Sequence, residues 1–157
     1  MYYYLFLLLI CQNISLIENK EFGEKIKAKN EPWENLRLPK STIPVHYDMY
    51  LFPDYDTEVT VGKLNIVLET TEDKTSLHLH VKDLNIALSK IYQGAVPLGA
   101  EDTAEEVKIE EQFIYDQHDF YVARFTGALP ADTYTWHFEF TGKGGWTQYT
   151  NGEGETR

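Results

Sequence analysis

His78 and His80 are the side chains whose spacing comes nearest to chemistry in this sequence. Two positions apart on an extended strand, they lie on one face, about 7 Å apart along the backbone. That spacing can serve a zinc or copper ion. A third ligand would have to come from a neighbouring strand, and the sequence names none. The pair therefore reads as a polar sheet face turned to water or to another domain. His46, His118 and His137 are dispersed, and His137 falls on the polar side of an alternating segment, which places it at the surface.

Other chemistries find less support. Nucleophilic catalysis needs a Ser or Cys held beside a His. No Gly-x-Ser-x-Gly elbow occurs, and the one cysteine, Cys11, ends an apolar leader. No internal disulfide is possible, so cysteine usage does not fix the redox compartment. Glu105, Glu106, Glu110 and Glu111 read as a solvated strand and turn rather than a general acid/base pair. Gly142, Gly144, Gly145, Gly152 and Gly154 match neither spacing of a phosphate-cradling loop ahead of a helix. No residue is thus assigned as catalytic, cofactor-binding or metal-ligating. The net charge of −11, without any Lys/Arg cluster, argues against nucleic acid as a partner. It reads instead as a solvated surface.

The elements that carry these residues are strands. The 157 residues amount to about one domain, and 11 Tyr, 8 Phe and 3 Trp favour strands over helices. Val45, Tyr47, Met49 and Leu51 alternate with polar neighbours up to Pro53, predicting a half-buried strand. Val59 to Thr70 is a second, whose alternation changes phase at Gly62, a bulge signal. Leu77, Leu79 and Val81 alternate with the two histidines. Further strands follow over 83–92, 107–115 and 120–125, and Tyr134, Trp136, Phe138 and Phe140 give the cleanest alternation of all. About seven strands without a long helix predict an all-β, antiparallel sandwich of two packed sheets.

The N-terminus is different in kind. Tyr2 to Ile10 is unbroken apolar sequence, about half of a membrane span and suited to the core of a secretory signal peptide. No Lys or Arg precedes it and no small-x-small cleavage site follows. Residues 1–17 are expected to be a signal peptide or short hydrophobic anchor, which directs the chain to the secretory pathway and an extracellular or cell-surface location. Asn13-Ile14-Ser15 is a formal glycosylation sequon, but it sits too near the leader to rely on. Residues 18–37, rich in Lys, Glu and Asn, read as a flexible tether.

From Leu38 onward the sequence resembles the opening of the aminopeptidase N-type zinc metallopeptidases. Leu38-Pro39 through Pro44-Val45-His46-Tyr47-Asp48-Met49 is similar to the family's Leu-Pro … Pro-x-His-Tyr-Asp-Leu start. Val61-Gly62-Lys63-Leu64-Asn65-Ile66, Leu79-His80-Val81-Lys82-Asp83-Leu84-Asn85-Ile86 and Leu129-Pro130-Ala131-Asp132-Thr133-Tyr134 resemble its next three motifs, in the same order. Asp132 replaces the usual Gly, and Lys143 to Tyr149 is a shortened form of the family's next segment. The resemblance implies that residues 38–157 are the N-terminal β-sandwich domain, incomplete at its C-terminus. In that family the domain packs on the catalytic domain, helps wall the substrate cavity and is non-catalytic.

The parent enzymes hold zinc and remove N-terminal amino acids from peptides. H-E-x-x-H and G-x-M-E-N, which carry that chemistry, are absent here, so no functional residue of the family transfers and the chain alone is expected to be inactive. Its expected partner is the missing downstream catalytic domain, with peptide as the parent enzyme's substrate and zinc only in the parent. An apolar patch near Trp146 and Tyr149 would mark the missing partner. The alternative is a stand-alone secreted β-sandwich that binds peptide or protein without peptidase activity. A third reading is a metal-binding protein using His78 and His80.

Overall fold

The computed structural model describes residues 31–143. The expected leader, the sequon and the Trp146/Tyr149 segment lie outside them. Eight strands form an antiparallel sandwich: β1 (Thr42–Asp54), β2 (Val59–Thr70), β3 (Lys74–His80), β4 (Leu84–Gln93), β5 (Glu106–Val107), β6 (Glu111–Tyr115), β7 (Phe120–Leu129) and β8 (Thr133–Lys143). One sheet runs β1-β2-β8-β4-β5 and the other β3-β7-β6. Between them lie Ile66, Leu68, Tyr134, Trp136 and Phe138 from the larger sheet, against Leu77, Ala123 and Phe125 from the smaller. The alternation of β8 thus points its aromatics inward, as its sequence requires.

β7 buries both faces. Phe120, Tyr121, Val122 and Ala123 are all buried in succession, the continuous apolar run of a strand covered on each side. Tyr121 and Ala123 join the central core. Phe120 and Val122 point outward, where Trp33 from the short 3-10 turn Pro32–Glu34 covers them beside Phe113 and Tyr115. The small sheet therefore carries a second, thinner apolar layer on its back.

Two sequence expectations are corrected here. The segment 107–115 is not one strand. Val107 pairs with Ile91 in the large sheet, while Glu111 pairs with Arg124 in the small one. The chain crosses between the sheets at 108–110, with Ile109 packed on the core, and alternation alone cannot reveal a change of sheet. Gly62 is not a bulge either, since the ladder runs unbroken through Leu51↔Gly62 and Gly62↔Phe140. The register shifts fall at Pro44/His46, Lys74/Ser76 and Ile86/Leu88. The phase change in β2 reflects a swap of apolar faces. Val61, paired with Phe52, lies on the face opposite Leu64 and Ile66.

Gly62 has a packing reason instead. A Cβ at this position would overlap the ring of Phe140 on the neighbouring strand. Gly62→Ala is expected to destabilise the fold by about 1–3 kcal/mol through overpacking, read as a lowered urea midpoint. Phe140→Leu in the same chain should recover part of that loss. An alanine variant as stable as the parent would contradict this account.

Candidate functional site

His78 and His80 do share a face, as their spacing requires. Their register partners are Val122 and Phe120, on the back of the small sheet. The expected polar face, open to water or to another domain, holds for only one of the two. His80 is exposed, but His78 is only 8% exposed and lies edge-on to the Phe120 ring at 4.9 Å. The apolar layer on the back of the sheet buries it. Neither His78 nitrogen has a hydrogen-bond partner. Burial, with lesser contributions from His80 and Lys74, pushes its pKa down to about 4.

Folding brings a third histidine to this layer. The His118 and His80 rings lie 5.9 and 4.4 Å from Phe120. His80 Nδ1 lies 3.1 Å from the His118 carbonyl, and His118 Nε2 lies 3.0 Å from the Glu34 carbonyl. A carbonyl can only accept, so each of those nitrogens carries the proton. The three imidazoles surround a phenyl ring rather than a common point, and two of them spend a nitrogen on the backbone. They do not fit a zinc ion. Among the described residues no group of three or more His, Cys, Asp or Glu is placed to hold a metal.

His137 is also corrected, from surface to interior. It is 4% exposed on the outer face of the large sheet, which the loop after β4 covers. Asn65, fully buried, donates from Nδ2 to the Val96 carbonyl at 3.0 Å and to Glu101 Oε1 at 2.9 Å. Its Oδ1 then accepts from His137 Nδ1 at 2.6 Å. Burial lowers the His137 pKa, against the opposing pull of Glu101 and Glu139, which favours a neutral ring. Thr135 Oγ1 accepts from Val96 N–H at 2.8 Å and donates to the Gly94 carbonyl at 2.7 Å. These bonds fasten a loop to a sheet. The role of Asn65 was missed in the sequence, where its only signal is an amide between Leu64 and Ile66.

An open groove of about 560 Å³ lies over this cluster, lined in part by Tyr50, Lys63, Lys90, Tyr92, His137 and Glu139. Both of its lysines are paired, Lys63 with Glu139 at 2.5 Å and Lys90 with Glu106 at 2.7 Å. Glu110 and Glu111 lie 3.7 and 3.1 Å from the Arg124 guanidinium. Glu106, Glu110 and Glu111 thus form surface ion pairs, as a solvated strand would.

The feature that stands out is β1. It was expected to be half-buried, but apolar residues are exposed on both its faces. Tyr47, Met49 and Leu51 are 57%, 56% and 47% exposed, and across the strand Tyr50 and Phe52 are 58% and 63% exposed. β1 is an edge strand, which is why it accommodates Pro44 and Pro53. A cleft of about 70 Å³ remains at this side of the sandwich, bounded by Leu38, Pro39, Tyr47 and Leu79 among others. Contiguous apolar surface on an exposed edge strand is unusual in a folded domain.

The described residues thus form an eight-stranded sandwich with a capped outer loop and an exposed apolar edge strand. The chain belongs to the Peptidase M1 N-terminal domain family, whose model matches residues 43–156. It is 29% identical over 115 residues to the glutamyl aminopeptidase of Bitis rhinoceros, covering 73% of this chain and 11% of that protein. It is 27% identical to the endoplasmic reticulum aminopeptidase 1 of Mus musculus, covering 68% of this chain and 11% of that protein. Aminopeptidase Q of Mus musculus is likewise 27% identical, covering 71% of this chain and 22% of that protein. The chain therefore spans only about a tenth to a fifth of the length of these curated relatives. No helix among the described residues is long and apolar enough to cross a membrane.

Proposed function

We propose that this chain serves as the non-catalytic N-terminal domain of a zinc metalloaminopeptidase, packing on a catalytic domain and helping to wall its substrate cavity. The removal of N-terminal amino acids from peptides would then be the work of the downstream domain. Strand β1 carries the reading, because its apolar side chains lie bare on both faces where a single-domain protein would be polar. The lengths of the relatives support it, since the matched region is a small part of each. The apolar leader at 2–10 supports a secretory route and an extracellular or cell-surface destination.

The purified 157-residue chain tests this directly. It should release no amino acid from peptide substrates, bind an apolar dye and self-associate. Met49→Glu with Leu51→Glu should suppress the association and leave the circular dichroism spectrum unchanged. Zinc-dependent turnover by the pure chain would overturn the non-catalytic reading. A monodisperse monomer that binds no dye would favour the stand-alone binding module instead.

A further inference from the structure

Tyr55 stands in the turn 55–58 at the tip of the β1–β2 hairpin. At 73% exposed it exceeds every other exposed large hydrophobic side chain among the described residues. Asp54 precedes it, Asp56 follows it, and Glu58 lies three residues on. No Lys or Arg occurs between Lys40 and Lys63. Among the described residues, Lys143 stands at the hairpin base, opposite Val59. Asp54 Oδ1 accepts from the Asp56 and Thr57 N–H groups at 3.0 and 3.4 Å, which fixes the turn. The tip therefore presents a phenol flanked by acids on both sides.

We propose that Tyr55 is a site of tyrosine O-sulfation. The phenolic oxygen attacks the sulfur of 3′-phosphoadenosine 5′-phosphosulfate. The new bond joins oxygen to sulfur, and the broken one joins that sulfur to the donor's phosphate oxygen. The nucleoside bisphosphate leaves, and the phenolic proton passes to a base of the transferase. Nothing is oxidised or reduced. An enzyme that binds so anionic a donor has a cationic cleft, and acids on both sides of the acceptor steer it there. Among the described residues the other tyrosines fit less well. Tyr47 and Tyr50 are exposed but lie within the β1–β2 ladder. Tyr115 packs against the Trp33 layer, while Tyr92, Tyr121 and Tyr134 are buried. The inference rests on the secretory reading above, because donor and transferase must share a compartment with the chain.

The test uses the full purified chain, a tyrosyl-protein sulfotransferase and radiolabelled sulfuryl donor. Label should appear in the peptide that contains Tyr55 and vanish in Tyr55→Phe. Asp56→Asn with Glu58→Gln leaves the Asp54 carboxylate in place, and should slow labelling by roughly tenfold or more. Label on Tyr47 or Tyr50, or none where a free acidic tyrosine peptide is labelled, would overturn the site. So would an unchanged rate in the charge variant with an unchanged circular dichroism spectrum. Expression in cultured eukaryotic cells separates the two ideas. Sulfate acquired behind a borrowed leader but not behind residues 1–17 would reject the secretory reading and uphold Tyr55.

Discussion

Acidification from about pH 6.5 to about pH 4 is expected to remove up to about 3 kcal/mol of stability through His78 alone. In the folded chain this imidazole is held neutral down to about pH 4, mainly because it is buried, and secondarily because His80 and Lys74 lie near it. In the unfolded chain it takes up a proton near its ordinary value of 6.5. Across that window the unfolded state binds more protons, so each step toward acid favours unfolding. Above the window the contribution is constant. The pH profile of the parent chain sums every ionisable group, so it alone cannot isolate the effect. His78→Phe, which keeps an aromatic ring beside Phe120 and has nothing to protonate, can. Urea denaturation of the two chains should give stabilities that diverge in acid, with the variant the more stable. Parallel pH profiles would refute this account of His78. Because neither ring nitrogen has a partner, the variant should lose little near neutral pH.

Trp136→Ala should cost more, about 3–5 kcal/mol. The indole is 1% exposed at the centre of the sandwich, on the middle strand of the large sheet. It lies 5.1 Å from the Phe138 ring and 6.1 Å from that of Tyr121, which belongs to the other sheet. Its Nε1–H donates to Ser89 Oγ at 2.8 Å. Alanine would open a cavity between the sheets and leave the Ser89 hydroxyl without this donor. A domain of this size has only about 5–15 kcal/mol in total, so the variant should be largely unfolded at moderate urea concentrations where the parent is native. Trp136→Phe should retain most of the packing and lose about 1–2 kcal/mol. If alanine and phenylalanine proved equally mild, the inter-sheet core would not be centred on this residue.

Much of the fold was legible because it follows from the two-residue period of strands. Tyr134, Trp136 and Phe138 could be placed in the core by alternation alone, and they are. The errors came where a strand's two faces meet different surroundings. His137 sits on the polar side of β8, but a loop from elsewhere in the chain covers that side, and Asn65 on the next strand supplies its partner. Alternation places His78 on a polar face open to water or to another domain. Its burial comes from Phe120, more than forty positions away in β7, and from the aromatic layer that Trp33 completes. β1 erred in the opposite direction, since good alternation does not guarantee a sheet to pack against.

The residues with chemical potential show the same division. The sequence by itself determined that His78 and His80 share a face, because side chains on a strand repeat every second residue. It also determined that the described strands form antiparallel sheets and that the chain carries the peptidase family's opening motifs. Only the tertiary structure decided that one of the pair is buried and the other exposed. It also brought His118 beside them around a phenyl ring rather than a metal, and left β1 uncovered. Periodicity is a property of neighbouring residues. Burial and convergence depend on which distant strand, loop or domain closes over a face.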